Sequence, residues 1–310
     1  MLSAAQPERP PTPLPQYRPR LETSLEGTMS TLTETTFKRI ADIARRRWGL
    51  SLGERKMQLV ANRLTSHLRK AGGGEIEDYV LRLERNPTEE DMLVLFDILS
   101  TNVTSFFRDP AHFAFLEREL YAGLAKGTLA LPGKRLRIWS AACSIGAEPY
   151  SLAMQVLELL PSSLGYDVKI LATDLSNKAL TGCREGVYTE TQLTGLSPER
   201  RARFLKKVDP PKGATGTATH TPMWRVTDEV RRIVEVRRQN LVEPYTGLGP
   251  FDVIFLRNVM IYFDRDTRRE VVMHMHGVMR PGSILAVGSA ETLSGLDVPL
   301  RGAAPGMYLR

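Results

Sequence analysis

The chain has 310 residues, 42% of them hydrophobic and 25% charged, with a formal net charge of +7. That length suits one large domain plus a smaller one at roughly 100 to 200 residues per domain, and no apolar run approaches the roughly 20 residues a membrane helix needs. Its two cysteines, Cys143 and Cys183, stand at neither CxxC nor metal-ligand spacing, which argues against a disulfide scaffold or a zinc site and suits a reducing cytosol.

The first twenty residues, MLSAAQPERPPTPLPQYRPR, hold six prolines and lack both the apolar core and the cleavage pattern of a signal peptide. They predict a disordered Pro-rich tail over residues 1–30. Positive charge is then concentrated: residues 31–70 carry ten Lys or Arg against three Asp or Glu, whereas residues 71–100 carry two against eight. Such a block suits nucleic acid, an anionic membrane surface or an acidic protein.

In TTFKRIADIARRRWG, Phe37, Ile40, Ala44 and Trp48 recur at helical spacing and Gly49 closes the run. GERKMQLVANRLTSHLRKAGGG repeats the pattern with Met57, Val60, Leu64 and Leu68 before three glycines stop it. IEDYVLRLE makes a third short helix, and Thr88 with Asp91 three residues on forms a capped start for DMLVLFDILS. Residues 31–100 therefore predict a small helical domain.

From residue 136 short β-rich runs alternate with helical stretches, the pattern of a parallel sheet with crossover helices. The strands are RLRIWS, DVKILATD, RIVEVRRQN, FDVIFLRN and SILAVGS; the helices are EPYSLAMQVLELL, NKALTGCREG and DTRREVVMHMHGVM, the last ended by Pro281 and Gly282. Pro149 fits the first turn of its helix, where its missing N–H has no partner to lose. Between Gly186 and Arg231 the alternation gives way to a stretch too long for an ordinary connection, which predicts an inserted subdomain at about 187–230.

RLRIWSAACSIGAEPYS reads as a strand, a loop of small residues and a helix start, an arrangement that lets backbone N–H groups approach a ligand. A plain strand-to-helix turn explains it equally well, because only Gly146 stands where a dinucleotide fingerprint has three glycines. Asp174 ends LATD, where a carboxylate can accept from both ribose hydroxyls; it can also be the N-cap of the next helix, a role for which Ser176 competes. There is no GxSxG, HExxH or Walker sequence, and His274 and His276, two apart on a helix, cannot share a metal.

Taken in order, TNVTSFFRD, WSAACSIGAEPYS, LATDLS, GVYTETQLTGLSPERRARF and FDVIFLRNVMIYFD resemble the chemotaxis receptor methyltransferases, the CheR family, over roughly residues 31–310. The resemblance implies an α/β fold: a doubly wound, Rossmann-like class I methyltransferase sheet over residues 101–310, with the small all-helical domain before it and a small β-rich insertion. It implies transfer of a methyl group from S-adenosylmethionine to receptor glutamates, with S-adenosylhomocysteine as product and no metal. By position, Asn102, Thr104, Arg108, Glu148, Asp174, Asn240, Leu241, Arg257 and Asn258 match cofactor-contacting residues, and Arg108 and Tyr262 match the two residues proposed to lie beside the transferred methyl. Ala147 departs from the family's loop, which usually has an acidic residue there.

The family's helical domain is thought to face glutamate-bearing receptor helices. Lys56, Arg63 and Lys70, seven apart, form one stripe that could recognise such a helix, although a solvated face explains it as well. Some members also hold a receptor's C-terminal peptide with the inserted subdomain; the loop PPKGATGTATHTP looks unlike theirs and implies recognition without that peptide. The implied partner is the cytoplasmic domain of a chemotaxis receptor, with a cytoplasmic enzyme recruited to membrane receptor arrays and no membrane insertion. Nucleic acid is disfavoured by the lack of an (N/D)PP(Y/F) motif.

Overall fold

The computed structural model describes residues 32–209 and 222–310. The Pro-rich tail and most of the PPKGATGTATHTP loop, with the expectations placed on them, lie outside those residues.

Four helices open the described chain: α1 (Glu34–Trp48), α2 (Met57–Lys70), α3 (Ile76–Arg85) and α4 (Glu89–Leu99). The capping box read from Thr88 and Asp91 is present, each side chain bonding the other's backbone N–H at 3.1 Å. The helical-period residues Phe37, Ile40, Ala44, Trp48, Val60, Leu64 and Leu68 all belong to one buried cluster.

The chain continues through α5 (Pro110–Leu116), a π turn and α6 (Ala122–Lys126) into β1 (Arg135–Ala141), α7 (Ala147–Leu159), β2 (Asp167–Asp174) and α8 (Asn177–Glu185). The insertion follows as β3 (Val187–Thr189), α9 (Pro198–Phe204), β4 (Leu205–Val208) and β5 (Met223–Val226), then α10 (Asp228–Arg231) and β6 (Val234–Arg238). The remainder is β7 (Phe251–Leu256), α11 (Arg265–Gly277), β8 (Met279–Val287), β9 (Arg301–Ala304) and β10 (Met307–Leu309). β3, β5 and β4 form a separate antiparallel sheet.

The main sheet has the order β6-β2-β1-β7-β8-β10-β9, its first five strands parallel and β10 antiparallel to both neighbours. Strand period 2 divides the core between the two faces. Leu136, Ile138, Val253, Phe255, Ile284 and Ala286 join the cluster under α5 and α7, while Trp139, Ala141, Ile254, Leu256, Leu285 and Val287 join the cluster under α11. Two features differ from the sequence reading. α11 ends at Gly277 and β8 already begins at Met279, because Met279 pairs with Phe251 and draws Pro281 and Gly282 into the strand. The C-terminal hairpin β9–β10 adds two strands that RGAAPGMYLR, poor in β-branched residues, does not announce.

The chain order reverses between β1 and β7, the switch point at which open α/β sheets bind ligands beyond their carboxyl ends. The helical segment packs against that edge. Ser51 N–H donates to the Tyr262 carbonyl at 2.7 Å, Leu50 bridges Phe263, and Asn240 Nδ2 donates to the Arg47 carbonyl at 3.0 Å.

Candidate active site

An open cleft of about 950 Å³, counting the solvent at its mouth, lies at this switch point. Its wall is shared. The loop after α1 and the end of α4 contribute Leu50, Leu52, Phe96 and Leu99; residues 100–105 supply the next stretch; the ends of β1, β2 and β7 supply Ala142, Ser144, Asp174, Arg257 and Asn258. A smaller lobe of about 370 Å³ shares Leu50, Phe96, Ala142, Asp174 and Val259 with it and adds Gln239, Asn240 and Leu241.

The loop after β1 approaches the cleft closely because its backbone is contorted and its residues are small. Ala142 and Ser144 take φ of 63° and 51°. Gly146 takes φ 98°, and a Cβ there would lie 2.9 Å from Cys183 Sγ and 2.9 Å from the Tyr188 hydroxyl. Asn258, at φ 58°, also lines the cleft, and Phe107 and Asp109, at 49° and 56°, flank Arg108. Such strain concentrates where a site dictates geometry.

Asp174 fastens this loop: one carboxylate oxygen accepts from Ser144 N–H and the other from Ser176 N–H, both at 2.9 Å. The N-cap role it competed for falls to Ser176, whose hydroxyl accepts from Ala179 N–H at 3.0 Å. Burial raises the Asp174 pKa against the opposing hydrogen bonds.

Beneath the larger lobe lies an ionic cluster. Arg257, with a side chain 1% exposed, donates to Glu148 at 3.0 Å, to Asp109 at 2.6 Å and to the Arg108 carbonyl at 2.7 Å. Glu148 also accepts from Ser140 Oγ at 2.7 Å. Burial pushes the Glu148 pKa up despite Arg257, whereas at the more exposed Asp109 burial is outweighed by Arg257 and the pKa falls. Glu291, unannounced by any motif, braces the far side: its carboxylate accepts from the N–H groups of Asn258 at 2.8 Å, Gly288 at 2.7 Å and Ile261 at 3.2 Å. A Cβ on Gly288 would stand 2.7 Å from that carboxylate.

Of the site residues read from sequence, Lys56, Asn102, Thr104, Arg108, Glu148, Asp174, Arg257, Asn258 and Tyr262 line the larger lobe, and Asn240 and Leu241 the smaller. Ala147 is buried in the core under α7 and does not line the cleft. The basic stripe divides. The Lys56 ammonium lies 4.6 Å from the centre of the Tyr262 ring and its pKa is lowered by burial. Arg63 turns to the backbone at the end of α4, and Lys70 is exposed. Other charges of the basic block are paired internally, Arg39 with Glu77 and Glu84 and Arg45 with Asp264. Of the apolar wall formed by Leu50, Leu52 and Phe96, the two leucines escaped the sequence reading because loop leucines carry no periodic signal.

Residues 102–302 match the CheR methyltransferase, SAM binding domain, and residues 35–96 the CheR methyltransferase, all-alpha domain. The chain belongs to the CheR methyltransferase family. It is similar to chemotaxis protein methyltransferase 1 of Pseudomonas aeruginosa, 37% identical over 252 residues that cover 80% of this chain and 86% of that one. It is likewise similar to the chemotaxis protein methyltransferase of Escherichia coli, 34% identical over 267 residues, 86% of this chain and 87% of the other. As a CheR family member it is an S-adenosylmethionine-dependent chemotaxis methyltransferase, and the cleft lies at the carboxyl edge of its cofactor-binding sheet. Among the described residues no cluster of His, Cys, Asp or Glu is placed to hold a metal, and no helix is long and apolar enough to cross a membrane.

Proposed function

We propose that this methyltransferase acts on side-chain carboxylates of glutamates in the cytoplasmic domain of chemotaxis receptors, giving glutamate methyl esters. The observation that carries this reading is Arg108. Its guanidinium lines the same cleft as Asp174, donates to the Val103 carbonyl at 3.3 Å, and enters no ion pair among the described residues. Its charge reaches the buried Glu148 carboxylate, but a cleft cation held in no ion pair suits an anionic acceptor.

The two lobes fit the cofactor by the chemistry of their linings. Asp174, Asn240 and Leu241 would hold the ribose and adenine; Asn102, Thr104, Glu148, Arg257 and Asn258 would hold the amino-acid end. When bound, S-adenosylmethionine supplies an electrophilic methyl on a sulfonium sulfur. Glutamate has an unperturbed pKa of about 4.3 and is ionised near neutrality, so no general base has to remove a proton. The work left to the chain is orientation and removal of water. Arg108 pairs with the carboxylate, the Tyr262 hydroxyl donates to it, and Leu50, Leu52, Phe96 and Val259 exclude water. Methyl transfer discharges the carboxylate, so an apolar cleft favours the less charged product side.

A protein acceptor is supported by exposed apolar side chains. Val103, in the cleft wall, is 77% exposed, and Ile261, which precedes Tyr262 in the chain but lies outside the cleft lining, is 52% exposed, two of the four large hydrophobics exposed among the described residues. They offer apolar contacts to an acceptor protein. Lys56 and Lys70 add positive charge toward an acidic helix. The enzyme would work from the cytoplasm at membrane receptor arrays, without need of a receptor's C-terminal peptide and without nucleic acid. Uptake of labelled methyl by a purified receptor fragment, as an alkali-labile ester, tests the acceptor; no uptake where S-adenosylhomocysteine binds overturns it.

A further inference from the structure

Arg63 points inward from α2. Its Nη1 donates to the carbonyls of Ile98 at 3.0 Å, Leu99 at 3.3 Å and Ser100 at 2.7 Å, and its Nη2 to Thr101 Oγ1 at 3.2 Å. The last carbonyls of a helix have no partner within it, and a cation there meets the negative end of the helix dipole. α4 has no basic residue in its own last turn, so its C-terminal cap comes from the neighbouring helix. Directly after that cap the chain becomes the wall of the cleft: residues 99–105 all line it, and residues 100–105 belong to no helix or strand. The Asn102 amide reaches across only as far as Ser176 Oγ, at 3.3 Å.

We propose that Arg63 is a positioning residue for cofactor binding, fixing the end of α4 and the Thr101 hydroxyl so that Asn102 and Thr104 stand correctly in the cleft. On this assignment the three cations spaced seven apart divide their roles: Lys56, at the N-cap of α2, and Lys70 remain available to an acceptor, while Arg63 braces the cofactor site. Lysine cannot replace it fully, because a planar guanidinium spans several acceptors and an ammonium presents its donors from one point.

The test is calorimetric titration of the full chain with S-adenosylhomocysteine. It needs no acceptor, so its outcome is separate from that of the glutamate reading. Arg63→Ala weakens binding by about tenfold and Arg63→Lys by about threefold, while Thr101→Val, which removes one outer bond, weakens it by about twofold. With cofactor saturating, the KM of Arg63→Ala for a receptor fragment stays at the wild-type value. Should Arg63→Ala not fold, Arg63→Lys and Thr101→Val, in which α4 keeps a cap, carry the same test. Wild-type affinity for S-adenosylhomocysteine in these variants overturns the proposal, as does a loss confined to receptor-fragment binding.

Discussion

The Arg257 guanidinium and the Glu148 carboxylate meet at 3.0 Å beneath the cleft, one from the end of β7 and the other from the first turn of α7. This contact ties the β1 loop to the β7 loop, and through Asp109 it reaches the segment that carries Arg108. Removing one partner of a buried pair leaves the other charge uncompensated, at a cost of about 3–5 kcal/mol. Arg257→Met is therefore expected to lower the unfolding free energy by that order, with a corresponding fall in the urea midpoint. Glu148→Gln, which keeps the Ser140 hydroxyl within reach and leaves Arg257 paired with Asp109, is expected to cost clearly less. Equal midpoints for wild type and Arg257→Met in urea titration would contradict this account of the cluster.

Arg108 and Tyr262 are expected to separate from Lys70 in turnover. Arg108→Ala reduces kcat on the order of 10²-fold, the usual effect of removing a placed donor, and Tyr262→Phe reduces it by a smaller factor. Lys70→Ala and Ile261→Ser leave kcat near wild type, and Ile261→Ser raises the KM for receptor. Steady-state methyl transfer measures all four; equal losses at Arg108 and Lys70 would remove the site assignment.

Gly146 has no room for a side chain and sits at φ 98°. Gly146→Ala is expected to destabilise by about 1–3 kcal/mol through overpacking and backbone strain, and to weaken S-adenosylhomocysteine binding because the β1 loop must shift. Thermal melting and calorimetry on the same variant read both. By contrast, the neighbouring Ala147 is buried and does not line the cleft.

His112 packs edge-on to Phe255, and burial, reinforced by the Arg257 charge, lowers its pKa below the ordinary value of about 6.5. The unfolded chain therefore binds a proton that the folded chain resists. Stability is complete above about pH 6.5 and falls as the pH drops through the lowered folded value. His67 and His276 shift in the same direction, so the contribution of His112 is the difference between wild type and His112→Phe. Urea midpoints at pH 7.5 and 5.5 are expected to differ less in the variant than in wild type.

The sheet was legible where its inner strands are buried on both faces: FDVIFL is buried along all of β7 and ILATD along the second half of β2, and α1 and α4 carry their stop or cap residues in plain view. The β9–β10 hairpin was not, since Gly302 and Ala304 pair with Tyr308 and Met307 around a bulge at Ala303, and none of the three has a β-favouring side chain. In the site, Asp174 was legible from its place at a strand end, whereas Glu148 was named only through the family resemblance. Glu291 was not, because two of the three backbone N–H groups that donate to its carboxylate, those of Asn258 and Ile261, reach it only through the way residues 258–261 fold back, which no spacing encodes. Arg63 shows the limit of a stripe: heptad spacing places three cations on one helix edge, but the end of α4 decides that one of them faces inward.

The most direct measurement is tandem mass spectrometry of a receptor cytoplasmic fragment after incubation with enzyme and labelled S-adenosylmethionine. The account predicts label on glutamate side chains, released by mild alkali, and absent with Arg108→Ala. Alkali-stable label on a nitrogen, or methylation of nucleic acid with the receptor fragment left unlabelled, would contradict it.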